Sequence, residues 1–162
     1  EKQKSPSTAS PISFRCSFLT LLAILLMGLW SPVAHGDVNS EKKKLSAAIR
    51  SDQFDPASQA VDRLIKLGSP KAIEALVTVG LGGDHYGIER YIGSKLVGLP
   101  PGEAFDRVCE LATKDRRAPV RVILTLVLAG RRELEANKAV MTYLYDRDPS
   151  VALTSVEALA KK

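Results

Sequence analysis

The chain has 162 residues, of which 45% are hydrophobic and 25% are charged, and its formal net charge is +5. These values exclude a wholly disordered chain and are typical of one globular domain, with or without a tail. The two cysteines and two histidines exclude a disulfide-rich miniprotein and a histidine-rich metal cluster.

Residues 1–36 have the organisation of a secretory signal peptide. A polar, basic lead precedes the uncharged segment 18–30, and Ala34 and Gly36 are small residues at the −3 and −1 positions of a cleavage site before Asp37. As a helix, segment 18–30 would reach about 20 Å, which is short of the ~30 Å hydrocarbon layer of a membrane. The sequence therefore predicts export to the periplasm, the cell surface or the medium, with cleavage near Gly36. The alternative is that the segment is not cleaved and remains as a signal anchor. We expect no other kind of membrane attachment.

Cleavage would remove three basic residues and one acidic residue, leaving 20 basic and 17 acidic side chains and a net charge of +3. This balance is too mild to predict a nucleic-acid partner, for which a strong basic stripe is expected. The shortened chain would hold one cysteine, Cys109, and therefore no internal disulfide. Its stability in an oxidising compartment would depend on apolar packing.

A period of about 30 residues runs through the rest of the chain. Each period begins with Pro or Gly and reaches a small residue eleven or twelve positions later. The first set is Pro56, Gly87, Pro119 and Pro149, and the second set is Gly68, Gly98, Gly130 and Ala160. Because apolar residues between the two markers recur at helical spacing, each period is predicted to start with an amphipathic helix of about three turns.

A second helix is predicted after the first helix of three periods. Ser69 would cap the earliest of these second helices, with Pro70 in its first turn. The predicted ranges are 71–79, 103–111 and about 133–145. A leading helix is predicted over 40–51, with Ser40 as its cap.

These helices divide the chain into a leading segment, 37–53, and a repeat region, 54–162. The repeats are predicted at about 54–84, 85–115, 116–147 and 148–162, and the last has no second helix. One pair of helices leaves an apolar face exposed, whereas stacked pairs cover each other's faces. The predicted fold is therefore all-α, an α-solenoid of stacked antiparallel helix pairs.

The repeat region resembles a known family. The segment LGSPKAIEAL at 67–76, and the segment from 148 to 160 that opens with DPSV and ends with ALA, resemble bacterial HEAT repeats. The period of about 30 residues is similar to that of the HEAT-like repeats of phycobilisome lyases. The resemblance implies a scaffold for protein–protein interaction. It does not identify the partner, because a fold does not fix a function. Separately, the residues predict no catalytic role and no cofactor.

Two groups of polar residues are candidates for contact with a protein or peptide partner. The first lies at positions expected to be exposed on the second helices, namely Glu74, Thr78, Arg107 and Glu110. The second is the densest basic cluster, formed by Arg116, Arg117 and Arg121 and followed by Arg131 and Arg132. An anionic partner surface is one interpretation of the basic cluster. Ordinary solvated charge, with cations after a helix C-terminus, is the other.

Three further features of the sequence are candidates for ligand binding or catalysis. The glycine-rich stretch 80–87 could cradle a phosphate, but it follows no strand and lacks a Gly-Lys-Ser/Thr ending, so a turn between repeats is favoured. Asp84 and His85 have no Ser or Cys nucleophile at a recognisable spacing. Cys109 lies on the apolar side of a predicted helix and is interpreted as a small buried hydrophobe rather than a reactive thiol. No metal-ligand set is predicted.

The sequence therefore predicts an exported, non-enzymatic scaffold. An alternative is the N-terminal interaction module of a larger exported protein whose activity lies beyond residue 162. This alternative rests on the incomplete fourth repeat, whose apolar residues Val151, Leu153, Val156 and Leu159 would stay partly uncovered. A chromophore lyase, by analogy with the repeat family, is disfavoured by the export signal.

Overall fold

Eight α-helices and one short 3₁₀ turn account for most of residues 37–161, the part of the chain that the computed structural model describes. The helices are α1 Val38–Arg50, α2 Phe54–Leu67, α3 Pro70–Gly80, α4 Tyr86–Val97, α5 Glu103–Lys114, α6 Ala118–Ala129, α7 Leu134–Thr142 and α8 Pro149–Ala160. The 3₁₀ turn Tyr143–Tyr145 follows α7 directly. This part of the chain contains no strand, so the all-α prediction is confirmed. The predicted signal peptide lies outside the described residues.

The helix starts follow the capping residues of the sequence. Ser69 accepts a hydrogen bond from the Ala72 amide at 3.2 Å, as predicted, and Pro70 begins α3. Asp148 caps α8 in the same way by accepting from the Ser150 amide. The prediction for the leading helix was wrong by one turn. Asp37, not Ser40, caps α1, because the Asp37 carboxylate accepts the Asn39 amide hydrogen bond.

Helix packing is local in chain order within residues 37–161. Every extensive helix–helix contact joins elements that are one or two places apart. The contacts between alternate helices form two series, α1–α3–α5–α7 and α2–α4–α6–α8, and neighbouring helices connect the two series. The helices α6 and α7 therefore contact the preceding helices α4 and α5 and the following helix α8.

One apolar core cluster takes residues from all eight helices of the described chain. Its fully buried helical leucines and isoleucines come from α1, α2, α3, α4 and α6, and they are Leu45, Leu64, Ile73, Leu76, Ile92, Leu96, Leu124 and Leu128. Full burial of such a side chain contributes about 1.5–3 kcal/mol. Val61 and Val120 are also fully buried. Val151 is fully buried as well, contrary to the expectation that it would stay partly uncovered, because α8 packs that side chain against α6, whereas Leu153 and Val156 on the same helix are exposed.

The C-terminal end of α3 lies very close to α4. Gly80 lies against Ile92, and a Cβ at position 80 would overlap the Ile92 Cδ1 atom. Gly82 then adopts a φ of 82°, a conformation that favours glycine, and packs on the Val120 side chain. The absence of a side chain at these two positions therefore lets the end of α3 lie close to α4 and the turn after it lie close to α6.

Candidate interaction surface

The predicted polar residues of the second helices form an ion cluster on α3 and α5. Arg107 reaches Glu74 at 2.8 Å through Nη2 and also donates to Glu110 through Nη1. Glu110 in turn pairs with Lys114 at 2.7 Å. Lys114 and then Arg107 lower the pKa of Glu110 below its usual range, while Glu110 and Glu74 raise the pKa of Arg107. The cluster is partly or fully exposed and balances its own charges.

Thr78 lies on the same helix as Glu74, one turn further on, and is exposed. No residue of the described chain is recorded as a hydrogen-bond partner of its hydroxyl group. The structure therefore brings Glu74, Arg107 and Glu110 together, with Thr78 beside them. Because these charged groups already bind one another, their capacity for an outside partner is small.

The side chain of Arg117 binds the C-terminal end of α3. Its guanidinium donates to the carbonyl oxygens of Leu81 at 3.0 Å, Val77 at 3.2 Å and Thr78 at 3.3 Å. It also pairs with the Asp115 carboxylate at 2.8 Å. Burial acts to raise the pKa of Asp115, but the hydrogen bonds from Arg117 outweigh it and hold that pKa below its usual value. Arg117 thus caps a helix C-terminus in another repeat, where a cation is favoured.

Arg121 is buried, contrary to its predicted place on a partner surface. Only 5% of its area is exposed, and its Nε and Nη2 atoms each donate to the Asp146 carboxylate at 2.8 Å. Its Nη1 atom donates to the Asp115 carbonyl oxygen at 3.0 Å. Since its donors are used inside the protein, Arg121 offers nothing to an outside partner.

Arg116 is the one member of this predicted trio that is exposed and without a side-chain partner among residues 37–161. Further along, Arg131 donates to the carbonyl oxygens of Val97 and Leu99 at the end of α4 and lies 4.3 Å from the Phe105 ring centre. Three arginines of the basic cluster are therefore held by groups of their own chain: Arg117 by the end of α3, Arg131 by the end of α4 and Arg121 by Asp146.

The glycine-rich turn does bind an anion, and that anion belongs to the chain. The amides of Gly82 and Gly83 donate to Glu89 Oε1 at 2.7 and 2.9 Å. Glu89 lies in the first turn of α4, so its carboxylate holds the turn against the helix that follows. With the two amides used in this way, the stretch 80–87 serves as a turn between helices. Next to it, His85 Nδ1 lies 3.7 Å from the Asp52 carboxylate.

Cys109 is partly buried on α5. Burial, followed by the nearby carboxylates of Asp106 and Glu135, raises its pKa to about 11. A thiol with this pKa is almost entirely protonated at neutral pH, and the thiolate is the nucleophilic form. The position therefore suits a packing role. Among the described residues, no three His, Cys, Asp or Glu side chains group as metal ligands.

A groove between α4 and α6 is the surface feature that sequence reasoning missed. It has a volume of about 480 Å³. Its lining residues are Tyr86, Glu89, Arg90, Gly93, Ser94 and Val97 from α4, and Ile123, Leu126 and Val127 from α6. Tyr86 is 75% exposed and Leu126 is 57% exposed, so two large side chains stand open to solvent at this groove. We call this feature the α4–α6 groove.

Gly93 lies on the α4 wall of the groove and faces α6. A Cβ at position 93 would lie 3.8 Å from Val127 and 4.0 Å from Ile123, which places these two residues opposite the glycine. The sequence carried two signals of the groove, a glycine in the middle of α4 and the leucine-rich, apolar α6. A helix that is apolar all round is normally buried, and Leu126 on α6 is not.

Comparison with family models, curated proteins and solved structures finds no significant match to this chain. No helix within residues 37–161 is long and apolar enough to cross a membrane. The features of the described chain that bear on its function are therefore the α4–α6 groove and the partners of the polar side chains.

Proposed function

We propose that the protein is an exported, non-enzymatic scaffold that binds another protein on a HEAT-like α-solenoid. The observation that carries the proposal is the α4–α6 groove, where exposed Tyr86 and Leu126 flank a concave apolar surface. Protein-binding surfaces are enriched in aromatic residues and arginine, and large exposed apolar side chains at a cleft are typical of them.

The helix contacts support the solenoid part of the proposal. In a solenoid each repeat touches its neighbours, so contacts join helices that are close in chain order. The two series of alternate helices have this property. A closed bundle would instead bring the first helices against the last. Small-angle X-ray scattering tests the arrangement, because a solenoid of this length is more elongated than a bundle of equal mass.

The polar side chains support a non-enzymatic role through the partners they already have. Arg117 and Arg121 hold carbonyl oxygens and carboxylates of their own chain, and Glu89 holds two backbone amides. The raised pKa of Cys109 keeps its thiol protonated at neutral pH. Groups that build the fold in this way are poorly placed to move protons or attack a substrate.

The experiment that tests the scaffold proposal is reconstitution of a complex. A partner captured from the exported fraction is purified and mixed with the purified chain, and the stoichiometry is measured by light scattering. We expect a complex of defined stoichiometry. Failure of every purified candidate to form such a complex would overturn the proposal.

Export is tested separately. Trp30 is the single tryptophan of the sequence and precedes the proposed cleavage site. Protein recovered from outside the cytoplasm is expected to begin at Asp37 and to show no tryptophan emission. Tryptophan fluorescence in that fraction would show that the segment is retained, as in an uncleaved signal anchor.

An alternative proposal is that this helical unit is the N-terminal interaction module of a larger exported protein, with its activity beyond residue 162. Leu153 and Val156 on α8 favour it, since they are 60% and 53% exposed and a further helix packed on α8 would cover them. The mass of the native protein, measured on an immunoblot with an antibody against residues 37–161, distinguishes the two proposals.

A further inference from the structure

The α4–α6 groove has the shape of a site for a helix from a partner. Its walls are two helices of twelve residues each, which corresponds to a length of about 18 Å. Gly93 lies opposite Ile123 and Val127, so apolar side chains of an occupant could approach the α4 backbone there. Amphipathic helices bind hydrophobic grooves through residues spaced three and four apart.

The lining of this groove holds one cation and one carboxylate, and they differ in what they already bind. Arg90 lines the groove, is exposed and has no side-chain partner within the described chain. It lies one turn from Tyr86 on the same face of α4. The acidic lining residue, Glu89, is already engaged by the amides of Gly82 and Gly83. The formal charges of Arg90 and Glu89 balance, but the group left to pair with a partner is the Arg90 guanidinium, because Glu89 Oε1 is held by the two amides.

A second basic surface continues from the C-terminal end of the groove. A Cβ at Gly130 would lie 3.6 Å from Val97, a lining residue of the groove. Gly130 also lines a neighbouring depression with Arg132 and Lys161. Neither of these two side chains has a partner within residues 37–161, so positive charge is present at both the middle and the end of the groove.

We propose that the α4–α6 groove binds an acidic amphipathic helix of a partner protein. Its apolar residues would lie between Gly93 and Leu126, and its carboxylates would pair with Arg90 and, beyond the groove, with Arg132. The inference rests on the scaffold proposal, because it names the surface and the chemistry of the partner. An anionic membrane shares the charge preference, but a concave groove suits individual side chains better than a flat lipid surface does.

The test uses the purified full chain and synthetic helical peptides of 18 residues. One peptide carries leucines at helical spacing with glutamates beside them, a second has lysine in place of every glutamate, and a third has serine in place of every leucine. Binding is measured by fluorescence anisotropy at two salt concentrations. We expect the acidic peptide to bind about tenfold more tightly than either of the others, with an affinity that falls as salt rises.

Two pairs of variants locate the site. Arg90→Glu and Leu126→Ser are each expected to weaken the acidic peptide about tenfold, as loss of an important interface residue does. Lys71→Glu makes the same charge change, and Leu134→Ser makes the same apolar change, at exposed positions that do not line the groove. Both controls should bind like the wild type. Circular dichroism confirms that all four variants are folded.

Three results would overturn the inference. These are equal binding of the acidic and basic peptides, equal losses in the groove variants and their controls, and binding to phosphatidylglycerol vesicles in place of the peptide. A reconstituted complex that keeps its affinity with Arg90→Glu and Leu126→Ser would likewise remove this site. In that case the scaffold proposal would stand, because its own test is the formation of the complex.

Discussion

Arg121 and Asp146 form a bidentate ion pair, with both oxygens of the carboxylate accepting hydrogen bonds at 2.8 Å from one guanidinium. Arg121 belongs to the start of α6, whereas Asp146 precedes α8. Asp146 also accepts the Asp148 amide at 2.8 Å, so the pair joins the first turn of α6 to the turn that leads into α8. The two side chains are 6% and 10% exposed.

Replacement of Asp146 by Asn is expected to destabilise the protein strongly. It leaves the buried Arg121 without a counterion, and removal of one partner of a buried ion pair costs about 3–5 kcal/mol. Chemical denaturation at pH 7 measures the change in the free energy of unfolding. Asp148→Asn provides the control, because that side chain caps α8 from a more exposed position without an ion pair. Equal losses in the two variants would contradict the prediction.

The same pair predicts a dependence of stability on acid. The hydrogen bonds from Arg121 hold the pKa of Asp146 below its ordinary value of 3.8. The unfolded chain therefore takes up a proton at Asp146 at higher pH than the folded chain, and stability falls as pH falls. The contribution is complete above about pH 5 and is lost as the pH drops through 3.8 toward the folded-state pKa. Denaturation curves from pH 7 to pH 2.5 should show a shallower fall for Asp146→Asn than for the wild type.

Adjacent arginines offer a matched test of the repeat caps. Arg117→Leu removes donors from the carbonyl oxygens of Val77, Thr78 and Leu81 and leaves Asp115 without its ion pair. A hydrogen bond to a charged group contributes about 1.5–3 kcal/mol, so a loss in that range is expected. Arg116→Leu changes an exposed side chain without a recorded partner and should stay within about 0.5 kcal/mol of the wild type. A larger loss for Arg116→Leu than for Arg117→Leu would show that the caps are misassigned.

Two glycines of α3 and α4 should respond in opposite directions to alanine. At Gly93 the added Cβ finds ordinary contact distances to Val127 and Ile123, and alanine is favoured over glycine in a helix interior by about 1 kcal/mol. Gly93→Ala should therefore raise the midpoint of thermal unfolding. At Gly80 the added Cβ overlaps the buried Ile92 side chain, and overpacking of this kind costs about 1–3 kcal/mol. Gly80→Ala should lower the midpoint, and the same sign for both variants would contradict the packing described here.

Local features were predictable from the sequence, whereas contacts between residues far apart in the chain were not. Ser69 and Pro70 mark the start of α3 because capping depends on residues within one turn. The pairing of Arg121 with Asp146 joins positions 25 residues apart, and only the stacking of helices determines it. The sequence shows arginines at positions 116 and 121, but it does not show that Arg116 faces solvent and that Arg121 faces a carboxylate.

The groove illustrates the same limit. A mid-helix glycine indicates either a weak helix or a close approach, and the identity of the opposing surface decides between them. Gly93 lies opposite Ile123 and Val127, which follow it by about one repeat period. Leu126 lies between these two positions in the sequence and is apolar yet 57% exposed, which helical spacing alone does not reveal.

Cys109 is expected to react slowly with thiol reagents in the folded protein. Its pKa of about 11 reduces the thiolate fraction at pH 8 more than a hundredfold relative to an ordinary thiol near 8.5, and its partial burial limits access. Cys109 should therefore react with a chromogenic disulfide at least tenfold more slowly than the thiol of glutathione does at pH 8. The thiolate of Cys109, being more basic, is the stronger nucleophile, but this gain is smaller than the loss in thiolate fraction. The rate should rise to that of an unfolded cysteine in denaturant, since unfolding removes both effects. Fast modification without denaturant would mean that the α5 packing around Cys109 opens readily or that the thiol is more acidic than its surroundings imply.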